Sequence, residues 1–281
     1  MWTRWTLVGL LMTTQADPQP LQRMAAAERA FAAAAAEQGW RDAALAYLAA
    51  DAIQRGAPSR AGAPVAEPAR PAVAELPLTR LPVALRDMWE PAFGSVSSDG
   101  TFGWTAGAQA ALNLPVRSLA HQGAYFHAWR RRDDGAWRVW LIDEVRFPNV
   151  WQDAAPFAAV PAPDTGDAGQ PTESLADAEH AIATDAHAWN GRLAASIHLH
   201  IGGEMPLVGR NAVREWAASR PPPRFADATV QVAASDDVGV SYGSFDVTGQ
   251  GRSERGAWVR AWQRDVTGRW RMTFESRRME R

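Results

Sequence analysis

The chain has no cysteine among its 281 residues. That excludes disulfides and thiolate metal sites and leaves the redox compartment open. It has no lysine either: all 29 basic residues are arginine, set against 31 acidic ones for a net charge of −2. The basic footprint of a nucleic-acid binder is therefore missing, and the arginine bias, with many Ala and Pro residues, fits GC-rich coding. No apolar run reaches the roughly 18–20 residues of a membrane span. No Gly-x-Ser-x-Gly elbow occurs. "GRNAVREW" (209–216) lacks the glycine-rich approach of a phosphate loop, and "GTFGWTAG" (100–107) leads into a strand, not a helix. No cofactor is expected.

Tryptophan is abundant, at 14 residues, which implies aromatic-rich cores or aromatic-lined cavities. The first sixteen residues read as an export signal: Arg4, the short apolar core "WTLVGLLM" (5–12), and "TQA" (14–16) before Asp17. A soluble periplasmic or secreted protein is the expectation. Residues 22–39 have the alanine content of a helix stopped by Gly39, and 41–52 read as a second short helix. Residues 55–82 are rich in Ala, Pro and Arg without a period and read as a loop-rich insertion. From residue 88 the pattern is that of strands, broken at Ser98-Asp99-Gly100 and Asp133-Asp134-Gly135. Residues 148–173 have linker composition.

After the linker the pattern restarts. "GAYFHAWRRRDDGAWRVWLID" (123–143) aligns without a gap on "GAWVRAWQRDVTGRWRMTFES" (256–276), so Trp129 meets Trp262 and Trp137 meets Trp270. "LADAEHAIATDAHAWNG" (175–191) answers the first helix, with Glu179 against Glu28, and 230–249 answers 94–113. A repeat of this size implies a duplicated domain. "AERAF", "YLAADAI", "MWEPAFGSVSSDGTFGWTAG" and the first ribbon, with "AEHAI", "MPLVGRNAV", "ASDDVGVSYGS" and the second, resemble the nuclear transport factor 2-like superfamily. That superfamily includes SnoaL-like and ketosteroid-isomerase-like proteins, and the nearest likeness is to its small uncharacterised exported members. The resemblance covers most of 22–147 and 174–279. It implies an α+β fold of two tandem cones, each a curved antiparallel sheet wrapped around N-terminal helices, with a pocket inside. Related single cones often pair sheet to sheet, so the resemblance also implies an internal pseudo-dimer. The superfamily holds enzymes and non-enzymes, so fold leaves activity open.

Strand register nominates site residues. A three-residue Asp-Asp-Gly turn places Arg132 opposite Ala136, and counting back places Tyr125 opposite Asp143. Tyr125, His127, Trp129, Trp137, Val139, Leu141 and Asp143 then share one face, taken as the concave side. A two-residue turn pairs His127 with Trp140 instead and reverses the faces. The matching face of the second ribbon is Trp258, Arg260, Trp262, Trp270, Met272, Phe274 and Ser276. Asp143, His127 and Tyr125 are the catalytic candidates. Resemblance to ketosteroid isomerases implies proton transfer next to a carbonyl; a structural hydrogen-bonded group is the plainer reading. His198 and His200 share a strand face without an evident third metal ligand, although Glu204 lies nearby, and a surface or pocket-rim role is expected of them. His180, Asp185 and His187 read as a solvated helix face, and Tyr47 and Asp51 as pocket-mouth or surface residues. Three functions remain: a binder of a small apolar or aromatic molecule, or an interaction module; an isomerase- or lyase-type enzyme; and a structural pseudo-dimer with cavities filled by tryptophan.

Overall fold

A computed structural model describes residues 18–55, 70–71, 85–113, 118–151, 156–163, 173–249 and 252–279. The expected export signal and nearly all of the 55–82 insertion lie outside them.

The first half opens with two helices, α1 (Pro18–Gln38) and α2 (Trp40–Tyr47). Its strands are β1 (Leu48–Arg55), β2 (Arg70–Pro71), β3 (Leu85–Val96), β4 (Phe102–Asn113), β5 (Ser118–Arg131) and β6 (Trp137–Arg146). The stretch 41–52, which reads as one helix, instead leaves helix at Leu48 and pairs in parallel with β6. Inside the linker composition lies β7 (Ala158–Ala159). The second half runs α3 (Leu175–Thr184), α4 (Ala186–Arg192), β8 (Leu193–Ile201), β9 (Leu207–Val208), α5 (Arg210–Ala218), β10 (Arg224–Val232), β11 (Val238–Gly249), β12 (Arg252–Arg264) and β13 (Trp270–Met279). Among the described residues the strands make two sheets, ordered β2-β1-β6-β5-β4-β3-β7 and β10-β11-β12-β13-β8-β9. Reading from the first strand after the helices, both orders follow the same path. The chain is α+β, two curved sheets each with its own N-terminal helices. No described helix is long and apolar enough to cross a membrane.

Each helix buries one stripe. In α1, Met24, Glu28, Phe31 and Ala35 recur at helical spacing and all are buried. In α3 the stripe is Leu175, Ala178, Glu179 and Ile182. A capping box starts α3: Asp177 N–H donates to Ser174 Oγ, and Ser174 N–H to the Asp177 carboxylate. Trp104, Trp129, Trp258, Trp262 and Trp270 are fully buried. Each such ring brings roughly 4–6 kcal/mol of gross transfer free energy, from about 150–250 Å² at ~25 cal/mol/Å².

The hairpin tips follow the expected turn. Arg132 N–H donates to Ala136 O at 2.9 Å, and Gly135 takes φ 84°. The left-handed conformation of Gly135, and of Gly268 at φ 77°, is what a three-residue loop requires. Further along, the counting fails. Trp129 pairs with Val139 but Ala128 pairs with Leu141, so Trp140 is an extra residue. A bulge of this kind reverses the face of everything beyond it. Asp143 therefore lies opposite Phe126, not Tyr125, and His127 opposite Ile142, not Leu141. The second hairpin repeats the slip between Ala261 and Trp262, with Thr273 as the extra residue.

Leu141, Asp143, Phe274 and Ser276 are thus on the outer face of their sheets, a correction to the expectation that they point inside. There the outer faces of the two sheets meet. One cluster joins Phe93, Trp104, Phe126, Trp140 and Leu141 to Val240, Tyr242, Val259 and Phe274.

Candidate functional site

The inside of the first cone holds a cluster of buried aromatic side chains. Tyr125, His127, Trp129 and Trp137 point into it beside Phe31 and Trp89. Tyr125 packs on His127 at 4.7 Å between ring centroids, and Tyr47 stacks on Phe31 at 5.2 Å. At the centre stands Glu28, fully buried. It accepts hydrogen bonds from Trp89 Nε1 at 2.5 Å, Thr105 Oγ1 at 2.6 Å and Trp129 Nε1 at 2.9 Å, and meets His127 Nδ1 at 2.9 Å. Burial alone raises a carboxylate pKa. The His127 charge and the bonds from His127, Thr105 and Trp89 outweigh it here and hold Glu28 below its ordinary value.

The proposed catalytic set does not assemble. His127 and Tyr125 are inside the cone, while Asp143 is on the opposite face. Asp143 accepts Ser276 Oγ at 2.5 Å and Arg278 Nη1 at 2.9 Å, both from the second half. Asp51 pairs with Arg130 at 2.6 Å on the exterior.

The second cone is built on the same plan with different chemistry. Glu179 of α3 sits where Glu28 sits and accepts Ser241 Oγ at 2.5 Å, Trp262 Nε1 at 3.1 Å and Arg260 Nη1 at 2.5 Å. Arg260 also donates to Glu275 at 3.0 Å, and Glu275 accepts Trp189 Nε1 at 2.7 Å and Arg277. The Arg260 guanidinium lies over Phe225 and Trp258, at 4.0 and 4.1 Å from their centroids. Burial raises the Glu179 pKa; Arg260 and Ser241 pull the other way without cancelling it.

The second cone holds a cavity of about 300 Å³. Its walls are Ala176 and Ala183 of α3 and Phe225, Ala228 and Val230 of β10, with Trp258 behind and Glu179 lining it. His180 and Asp227 supply the other polar groups. Asp227 has φ 55°, within the stretch where β10 slips register against β11 between Ala226 and Thr229, and it accepts Ser244 Oγ at 2.7 Å. Gly243 leaves room for the Trp258 ring: a Cβ built there would be 2.6 Å from it. Of the residues expected to line this interior, Trp258 reaches the cavity, while Arg260, Trp262 and Met272 are packed around it.

His198 and His200 are not at a surface rim. They lie where the sheets meet, His198 stacked on Phe93 at 4.0 Å and His200 fully buried. Glu204 turns instead to Trp216 Nε1, at 2.7 Å, and Arg220. Among the described residues no three metal-ligating groups converge. Asp185 caps α4 through the His187 N–H at 2.8 Å.

The two interior glutamates were missed as site residues. A glutamate on an alanine-rich helix reads as solvent-facing, yet Glu28 stands four residues after Met24 and three before Phe31, on the apolar stripe.

The fold and the grooved cone define a two-sheet α+β protein of the cone type. No protein-family model matches the sequence, and no curated protein does. Solved structures do. A candidate ketosteroid isomerase from Parabacteroides distasonis matches at 14% identity and TM-score 0.33, over 40% of this chain and 93% of that one. An NTF2-like protein of unknown function from Pseudomonas putida matches at 15% and 0.29, over 36% and 78%. An NTF2-like protein from Cytophaga hutchinsonii matches at 14% and 0.31, over 37% and 94%. The likeness is one of fold.

Proposed function

We propose that the chain is an exported binding protein made of two tandem cones, in which the first is a packed scaffold and the second receives a small apolar or aromatic group. The observation that carries this reading is the cavity of about 300 Å³ over Glu179, beside a first cone whose interior aromatic side chains are buried. That volume is at the lower end for ligand sites, and apolar walls with a few convergent polar groups are their usual lining. Tandem duplication is supported by the shared sheet order and by glutamates at matching places in α1 and α3. An internal pseudo-dimer is supported by the shared apolar cluster between the sheets. Export rests on the leader-like first sixteen residues.

Native mass spectrometry of the mature protein is the test. Expected are a chain starting near Asp17 and a co-purified small molecule, lost when Ala183→Trp fills the cavity. A protein that binds equally well after that substitution does not use this pocket. An intact chain recovered from the cytosol with Met1 in place removes the export claim alone.

A further inference from the structure

The two cones differ at one groove, and the difference points to a partner. In the first cone the groove between α1 and β3 is occupied by the chain itself. β7 runs parallel to β3, with Ala158 opposite Phe93 and Ala159 opposite Gly94, and Val160 N–H donates to Gly94 O at 2.8 Å. The preceding Phe157 packs against the first core, under the Arg29 guanidinium at 5.9 Å. Arg29 and Glu90 then lace α1 to β3 with an ion pair of 2.6 Å.

At the matching places of the second cone, His180 stands for Arg29 and Ala226 for Glu90, so no such lace can form. Thr229 and Val230 stand for Phe93 and Gly94, because each strand pairs with its neighbour in the same register: Gly94 opposite Thr105, Val230 opposite Ser241. Among the described residues no strand pairs with the outer edge of β10. Glu179, His180 and Ala226 of the cavity lining correspond to Glu28, Arg29 and Glu90 of the first cone, where Phe157 lies against Arg29.

We propose that this groove binds an extended peptide from a partner protein, which adds as a parallel strand at Thr229–Val230 and inserts one aromatic side chain over Glu179. The inference rests on the binding role assigned above to this cavity. An unpaired edge offers backbone donors and acceptors to an incoming strand. The irregular stretch at Asp227 blunts the start of β10, while Thr229–Val232 pair regularly with β11 and leave a straight edge beyond it. The cavity suits a single ring, whose positive edge complements the Glu179 carboxylate. The exposed Asp227 selects against an acidic segment. The chemistry recognised is that of residues 156–161 of this chain: Pro, one aromatic residue, two small residues, an apolar residue whose N–H donates to the strand edge, and a closing Pro.

Calorimetric titration of the full mature chain tests this with four probes. These are acetyl-Pro-Phe-Ala-Ala-Val-Pro-amide, the same peptide with Ala for Phe, the same peptide N-methylated at Val, and N-acetylphenylalanine amide. Expected is binding of the first peptide, with each altered peptide weaker by about tenfold or more, the scale of one lost hydrogen bond or buried ring. If the phenylalanine amide binds as well as the first peptide, or N-methylation changes nothing, strand addition is wrong and the pocket assignment survives. If none of the four binds, the peptide proposal fails. The pocket assignment fails with it only if native mass spectrometry also finds no ligand.

Discussion

Asp143 and Ser276 hold the same position in the two aligned hairpins, and they touch: Ser276 Oγ donates to Asp143 Oδ2 at 2.5 Å. A second relationship has the same form. Arg130 donates to Gln231 at 2.8 Å, and Gln263, which aligns with Arg130, donates at 2.7 Å to Ser95, which aligns with Gln231. Reciprocal contacts are the signature of a two-fold, self-complementary interface. Asp143 and Ser276 then mark the axis of the proposed pseudo-dimer. In a true homodimer an axial residue meets its own copy, and two aspartates there repel. A single chain escapes that restriction and can place an acceptor against a donor.

Removing the axial donor tests how much the pair contributes. Ser276→Ala leaves a buried carboxylate with Arg278 alone, and a hydrogen bond to a charged group contributes about 1.5–3 kcal/mol. Urea unfolding is expected to show a loss of that order. Ser276→Asp is expected to cost more, and to recover part of the loss at acidic pH as one carboxyl takes a proton. Unchanged midpoints for both variants mean that the axis contributes nothing to stability.

His200 is expected to make the same interface sensitive to acid. Its ring is fully buried among Phe93, Phe147, Trp151 and Phe274, and neither nitrogen has a hydrogen-bond partner. Titratable neighbours are His198 on its own strand and, from the first half, Asp143 and Tyr125. Burial, and to a lesser extent His198, hold its pKa well below 6.5. The folded state therefore binds this proton less readily than the unfolded chain. Its contribution is fully present above about pH 6.5 and declines as pH falls below it, by at most ~1.4 kcal/mol per pH unit. His200→Phe is expected to flatten that part of the stability profile between pH 7 and pH 5. An identical slope in the variant assigns the acid sensitivity elsewhere.

Asp87 works in the opposite sense. It is half-buried on β3, and burial first, then the Glu144 charge, push its pKa to about 6. An acid with a raised pKa favours the folded state while protonated, so stability falls as pH rises from about 4 to 6. Asp87→Asn is expected to stabilise the protein at pH 7 and to have little effect at pH 4, measured by thermal melts at both. A variant less stable at pH 7 indicates that the ionised carboxylate has a partner that offsets its burial.

The sequence was legible where one local rule decided the outcome. The Asp-Asp-Gly tip and the Gly135 conformation follow from turn chemistry. Position across the sheet did not follow. Both faces of "WRVWLID" are apolar, because one faces the core and the other the second sheet, so alternation gives no sign of the bulge at Trp140. Counting through it sent Leu141 and Asp143 to the wrong side. The switch to strand at Leu48 was hidden for a related reason: "LAAD" has high helix propensity, and its pairing with β6 is a tertiary effect. β7 was hidden in a Pro- and Ala-rich stretch because its partner β3 lies more than sixty residues earlier.

The groove itself can be closed by copying the first cone into the second. Arg29 and Glu90 are half to two-thirds exposed, at 43% and 66%, so their ion pair adds little to stability. Its effect is geometric, since it holds α1 against β3 across the mouth. His180 lies one residue along α3 from Glu179, as Arg29 lies one along from Glu28, and Ala226 matches Glu90 on β10. The double variant His180→Arg with Ala226→Glu is expected to lace α3 to β10, change unfolding free energy by less than about 1 kcal/mol, and weaken binding in the cavity by up to about fivefold, the same energy read as affinity. Each single variant leaves the lace incomplete and is expected to weaken binding far less than the pair. The measurement is a double-mutant cycle on ligand affinity, read beside urea unfolding of all four proteins. If the double variant is as stable as the parent and still binds as tightly, the ligand does not enter between α3 and β10.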